Sequence, residues 1–142
     1  MISAPKLSLI WSAAMAAFGI MFWLYAALTL VMPAFFAPLG FMLAILAGLF
    51  VLVLAATGAL AGTANLARAW DEGAEYDSNR AYKFGFTTAW TVYLVAWLFL
   101  EQGWVSVDAA FPMMGAVTGG SYCLFMGVVG LRGWYETRHA SD

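Results

Sequence analysis

The chain has 142 residues, of which 64% are hydrophobic and only 10% are charged. A soluble globular domain carries about 25% charged residues, so these few charges could not cover a water-soluble fold of this size. The net charge of −2 provides no basic surface for a nucleic acid. The composition therefore excludes a nucleic-acid-binding protein, a disordered chain and a disulfide scaffold, and it predicts an integral membrane protein.

Four charge-free segments are long enough to cross a bilayer. They cover residues 7–32, 39–67, 84–100 and 109–131. A membrane-spanning helix needs about 17 to 25 apolar residues to cross a hydrocarbon core about 30 Å thick. The fold class is therefore predicted as an all-α membrane protein, a four-transmembrane-helix bundle that forms one polytopic membrane domain over residues 1–142.

Prolines and polar residues indicate where the helices begin and end. The predicted helices cover about 7–32, 38–68, 79–101 and 112–133, with a polar loop at about 69–78. Pro33 is expected to end the first helix, because proline cannot continue a helix. Pro38 and Pro112 are expected to open the second and fourth helices, because proline suits a first turn. Asp77 or Ser78 is the expected N-cap of the third helix.

The cationic side chains fall on one side of the four predicted helices. They are Lys6, Arg68, Arg80, Lys83, Arg132 and Arg138. Loops rich in Lys and Arg stay on the cytoplasmic side of a membrane. We therefore expect both termini and the 69–78 loop in the cytoplasm, and a multi-pass location in the cell inner membrane.

Small residues at spacing four predict packing seams, because helices in lipid associate by close backbone approach. These residues are Gly58 and Gly62 on the second helix, and Gly115, Gly119, Cys123 and Gly127 on the fourth. The first interpretation is packing within the chain, and the alternative is a docking seam for another chain, above all on the fourth helix. The small patch of the first helix, which is Ser12, Ala13, Ala16 and Ala17, lies in the same cytoplasmic half as Gly58 and Gly62. We therefore expect helices 1 and 2 to be closest there.

Aromatic residues form a ridge along the third helix. They are Trp90, Tyr93, Trp97 and Trp104, with the tryptophans at spacing seven. Residues at this spacing share one face of a helix. The ridge is interpreted as a surface packed on neighbours or lipid, or as a wall that binds a flat lipid-soluble ligand.

The sequence places no ionisable residue at the middle of a span. A charge there would cost about 2.5 to 3.5 kcal/mol on insertion scales. Glu101 and Asp108, near the outer end of the third helix, come closest. They are expected to be hydrated at the interface, or to form an ion or proton site.

Residues for catalysis or metal binding are scarce. His139 is the one histidine and Cys123 the one cysteine, so histidine clusters and thiol exchange are excluded. Nucleotide-binding loops, zinc-protease motifs and nucleophile elbows are not found. We expect no catalytic residue, metal or cofactor, and a protein that is not an enzyme.

Three functions are consistent with these patterns. The first is a small non-catalytic accessory or scaffold subunit that packs in a homo-oligomer or a larger membrane complex, in contact with the lipid bilayer and with no nucleic acid. The second is a small ion or solute carrier or channel that uses Glu101 and Asp108. The third is a binder of a flat lipid-soluble ligand along the aromatic ridge.

Overall fold

The computed structural model describes residues 3–69 and 72–139, and the side chains of 72–74 and 137–139 are left undescribed. The regular structure in these residues is entirely helical. The helices are α1 (Ala4–Val31), α2 (Pro33–Phe36), a 3-10 turn (Ala37–Leu39), α3 (Gly40–Ala61), α4 (Thr63–Ala69), α5 (Glu72–Glu101) and α6 (Val107–His139).

Four segments of the described chain are long and apolar enough to cross a membrane. They are Ala4–Val31, Pro33–Ala61, Glu75–Glu101 and Val107–Glu136. The prediction of an all-helical chain with four such segments is therefore confirmed. The first segment ends just before Pro33, as expected, since α1 stops at Val31 and Met32 caps it.

A glycine divides the predicted second helix. Gly62 has φ 82° and ψ 156°, a conformation that favours glycine because any Cβ would be strained there. It ends α3, and its carbonyl then accepts the N–H of Leu66 at 2.9 Å in the next helix, α4. The predicted 38–68 helix is thus two helices that meet at a bend.

The third helix begins earlier than expected. α5 starts at Glu72, so much of the predicted 69–78 loop is helical, while residues 70 and 71 lie outside the described residues. The prediction that Asp77 or Ser78 caps this helix is wrong. Ser78 and Ala81 are buried, and the Ser78 hydroxyl lies 3.2 Å from the hydroxyl of Tyr122 on α6. Packing on α6 therefore stabilises the first turns of this helix. The charges on their exposed face had led to the prediction of a loop.

The fourth helix also begins earlier. α6 starts at Val107 and contains Pro112, so the prediction that Pro112 opens this helix is wrong. The Ser106 carbonyl accepts the N–H groups of Ala109 and Ala110 at 3.1 and 3.0 Å, and both alanines are buried. These contacts hold the turn ahead of Pro112, whose missing N–H removes a single helical hydrogen bond.

Helices α1 and α6 form the central antiparallel pair. Their close approaches are Gly19 to Leu124, Ala16 to Gly127, and Ser12 to Gly130. Residue numbers rise along α1 as they fall along α6, so the start of α1 and the end of α6 lie at the same end of the bundle. Helix α3 flanks α1, and helix α5 flanks α6.

The hydrophobic core is small and lies around the central pair. Its buried members are Phe22, Tyr25, Ala26, Ala96, Met113, Ala116 and Val117. The whole chain exposes 9175 Å². A soluble monomer of 15.4 kDa exposes about 7,200 Å². Much of the excess is apolar, since large hydrophobic side chains along every long helix are exposed. Such a surface suits a lipid environment.

Candidate functional site

The predicted packing residues of α6 do not share one environment. An added Cβ at Gly127 would lie 2.7 Å from Ala16 Cβ, and closer still to the Ala16 backbone. At Gly119 the nearest neighbour is the ring of Phe22, at 3.2 Å. A Cβ added at Gly115 would meet no packed neighbour within 4 Å. The predicted packing residues of α6 thus differ in their surroundings: Gly127 is in tight contact with α1, whereas Gly115 lies on an open surface.

The other residues of the predicted packing seams are Cys123, Gly62 and Gly58, and each has a different environment. Cys123 is half-buried on α6, and Gly62 forms the bend between α3 and α4. Gly58 is buried on α3, where an added Cβ would lie 3.2 Å from the ring of Trp11.

The contact between α1 and α3 is built around a tryptophan. The Trp11 indole N–H donates a hydrogen bond to Thr57 Oγ1 at 2.9 Å, and Phe18 stacks on Phe50 with ring centroids 4.0 Å apart. Ser12 and Ala16, which were expected to lie at a close approach of helices 1 and 2, pack on α6 instead. Helices 1 and 2 do meet in this half of the bundle, but through Trp11 rather than through these small residues, because small residues mark a close contact without identifying the other helix.

The aromatic ridge is an exposed surface of α5. Trp90, Tyr93 and Trp97 are each about half exposed, and the Trp90 and Tyr93 rings meet edge to face with centroids 6.2 Å apart. Trp104 follows Gly103, which has φ 69°, and the Trp104 N–H bonds to the Phe99 carbonyl at 2.9 Å. The first three aromatic residues therefore share one face of α5. Trp104 lies outside the helix, in the turn that follows its C-terminal end.

The two acidic candidates are exposed at the same end of the molecule. Glu101 is the last residue of α5, and Asp108 lies in the first turn of α6. A carboxylate in a first turn interacts favourably with the helix dipole, which gives Asp108 a structural role. Among the described residues, no group of three or more His, Cys, Asp or Glu could hold a metal ion.

A further group of residues was missed by the sequence analysis. Tyr76, Asn79, Arg80, Tyr82 and Lys83 line an open hollow of about 540 Å³ on the first turns of α5. We call it the basic hollow. Four of its residues follow helical spacing, at 76, 79, 80 and 83, which places them on one face. The predicted 79–101 helix contains all of these residues except Tyr76, so the full face is visible only when the helix begins at Glu72.

The comparisons with known proteins add no relative. The chain matches no protein-family model, no curated protein and no solved structure. The arguments for function therefore come from the geometry of the chain itself.

Proposed function

We propose that the chain is a small multi-pass inner-membrane protein without catalytic activity, which acts as an accessory or scaffold subunit. It packs against copies of itself or within a larger membrane complex. Four helices that are long and apolar enough to cross a membrane support the membrane location.

The exposure of α3 is the observation that carries the subunit role. Its segment is the most hydropathic of the four, yet no residue in the most apolar part of that segment is buried within the chain. The buried residues of α3 are Gly58 and Ala61, both at its end. A helix so loosely attached to its own fold has most of its surface free for contact with another protein.

The small residues on this free surface favour a protein neighbour over lipid alone. Gly48, in the middle of α3, is exposed, and a Cβ added there would meet no packed neighbour within 4 Å. Ala44, one turn earlier, is also exposed. Small residues permit the close backbone approach by which helices associate in lipid. Gly115 presents a second open position of this kind on α6.

Purification from native membranes in a mild detergent tests the proposal. Native mass spectrometry of the full chain should show a defined homo-oligomer or a partner in fixed ratio. Gly48→Leu and Gly115→Leu should weaken that assembly while leaving the monomer folded, because both positions are exposed and an added Cβ there meets no packed neighbour within 4 Å. Gly133→Leu is the matched control, since Gly133 is also exposed but lies beyond the charge-free run 109–131. A protein that is monomeric and free of partners would contradict the proposal.

A further inference from the structure

The basic hollow combines hydrogen-bond donors with a local positive charge. Arg80 and Lys83 carry two positive charges, and the Asn79 amide adds neutral donors. The Asp77 carboxylate lies 4.0 Å from Arg80 Nη1 and offsets one of these charges. The site therefore favours an anion that accepts several hydrogen bonds.

Aromatic rings position the arginine for such an anion. Arg80 Cζ lies 5.7 Å from the ring centroid of Tyr76 and 5.7 Å from that of Phe125 on α6. Contacts of this kind attract a guanidinium to the ring and restrict its movement. The side chain is nevertheless 55% exposed, so its N–H groups remain accessible. A guanidinium held in this way suits bidentate binding of a phosphate.

The position of the hollow along α5 corresponds to the depth of lipid phosphates. Lys83 directly precedes the apolar run 84–100. With a rise of about 1.5 Å per residue, Arg80 lies about 6 Å and Tyr76 about 12 Å beyond that run. The headgroup region on each side of the hydrocarbon core is about 5 to 8 Å thick. Arg80 and Lys83 thus reach the level of the headgroups when the run crosses the bilayer.

We infer that the basic hollow binds the phosphate of an anionic phospholipid headgroup, with Arg80 and Lys83 donating hydrogen bonds to the phosphate oxygens. Phe84 and Phe86, which are 50% and 66% exposed next to the hollow, provide an apolar surface for the acyl chains. Free phosphate has the same oxygens but would leave this surface unused. Tyr82 suits the same depth, because amphipathic rings collect at the membrane interface.

Lipid titration of the full chain, followed by native mass spectrometry, tests the inference. Phosphatidylglycerol should bind about tenfold more tightly than zwitterionic phosphatidylcholine, since each cation near the surface attracts anionic lipid. The double variant Arg80→Gln, Lys83→Gln should lose this preference. The matched control is Lys6→Gln, Arg68→Gln, which removes the same charge at the same end of the bundle but outside the hollow. The control should keep the preference.

Three results would overturn the inference. They are an unchanged preference in the Arg80→Gln, Lys83→Gln variant, an equal loss in the control, and displacement of the lipid by inorganic phosphate alone. Arg80 also packs on two rings, so its replacement could disturb the fold. Lys83→Gln by itself leaves those contacts intact and should still reduce the preference by about threefold. No reduction in this single variant would equally overturn the inference.

Discussion

Gly127 lies at a close approach between the two central helices. Any Cβ at this position would overlap the backbone of Ala16, which cannot move unless α1 separates from α6. Overpacking a tight contact costs about 1 to 3 kcal/mol, and a backbone neighbour favours the upper end of that range. We expect Gly127→Leu to lower the free energy of unfolding in mixed micelles by about 3 kcal/mol. Gly133→Leu, at an open position, should change it little. Equal stability of the two variants would show that this approach is not close.

The hydrogen bond from Trp11 to Thr57 is the clearest polar link between α1 and α3. Thr57→Val keeps the shape of the side chain but removes the acceptor of the indole N–H. Hydrogen bonds between helices in membranes contribute about 0.6 kcal/mol on average, with a maximum near 1.7. We expect Thr57→Val and Trp11→Phe each to destabilise the protein, with a coupling of about 0.6 kcal/mol or more in a double-mutant cycle. Strictly additive losses would argue against the bond.

Gly62 determines where α3 ends. Its φ of 82° with an extended ψ is a conformation that almost only glycine adopts, and other residues lose about 1 to 3 kcal/mol there. We expect Gly62→Ala to destabilise the protein by about that amount. Gly48→Ala is the control within the same helix. It should be neutral or stabilising by up to about 1 kcal/mol, because alanine is the better helix former. Similar effects of both substitutions on the unfolding curve would refute the bend.

The ends of helices were harder to predict than their existence. Charge-free runs correctly located the four apolar segments, because a span needs length and few charges. The same criterion placed the start of α5 too late, since Glu75 and Asp77 fell within the predicted 69–78 loop. Their charges lie on the exposed face, while Ser78 and Ala81 pack on α6. For this segment, small residues at helical spacing, which can be buried, are a better indicator of a helix than the absence of charge.

The neighbours of each helix could not be predicted from composition. A helix that is apolar on every side gives no indication of which face meets protein and which meets lipid. Small residues did mark α1 and α6 as closely packed helices, yet the partner of Ser12 and Ala16 required three-dimensional geometry. The free surface of α3 could not be predicted from the sequence either, because the burial of a helix depends on where the other helices lie. The basic hollow escaped notice because the predicted helix began at residue 79 and left Tyr76 in a loop, and because Phe125, which packs on Arg80, belongs to another helix.

The antiparallel arrangement makes a prediction about the whole molecule. Ser12 near the start of α1 contacts Gly130 near the end of α6, so the two termini lie at one end of the bundle. Arg80 and Lys83, at the start of α5, are at that end too, since Arg80 packs on Phe125. Cationic segments are retained in the cytoplasm. We therefore expect both termini to be cytoplasmic.

Reporter fusions measure this topology directly. A green fluorescent protein should be fluorescent when fused to either terminus, because it folds on the cytoplasmic side. An alkaline phosphatase should be active only when inserted on the opposite side, either in the connection between α1 and α3 or in that between α5 and α6, neither of which has a Lys or Arg. Replacement of four of the six cations, Arg68, Arg80, Lys83 and Arg132, by Gln should weaken this orientation, because it removes most of the charge asymmetry that sets it. Termini on opposite sides would require an odd number of crossings, which the antiparallel packing of α1 and α6 does not allow.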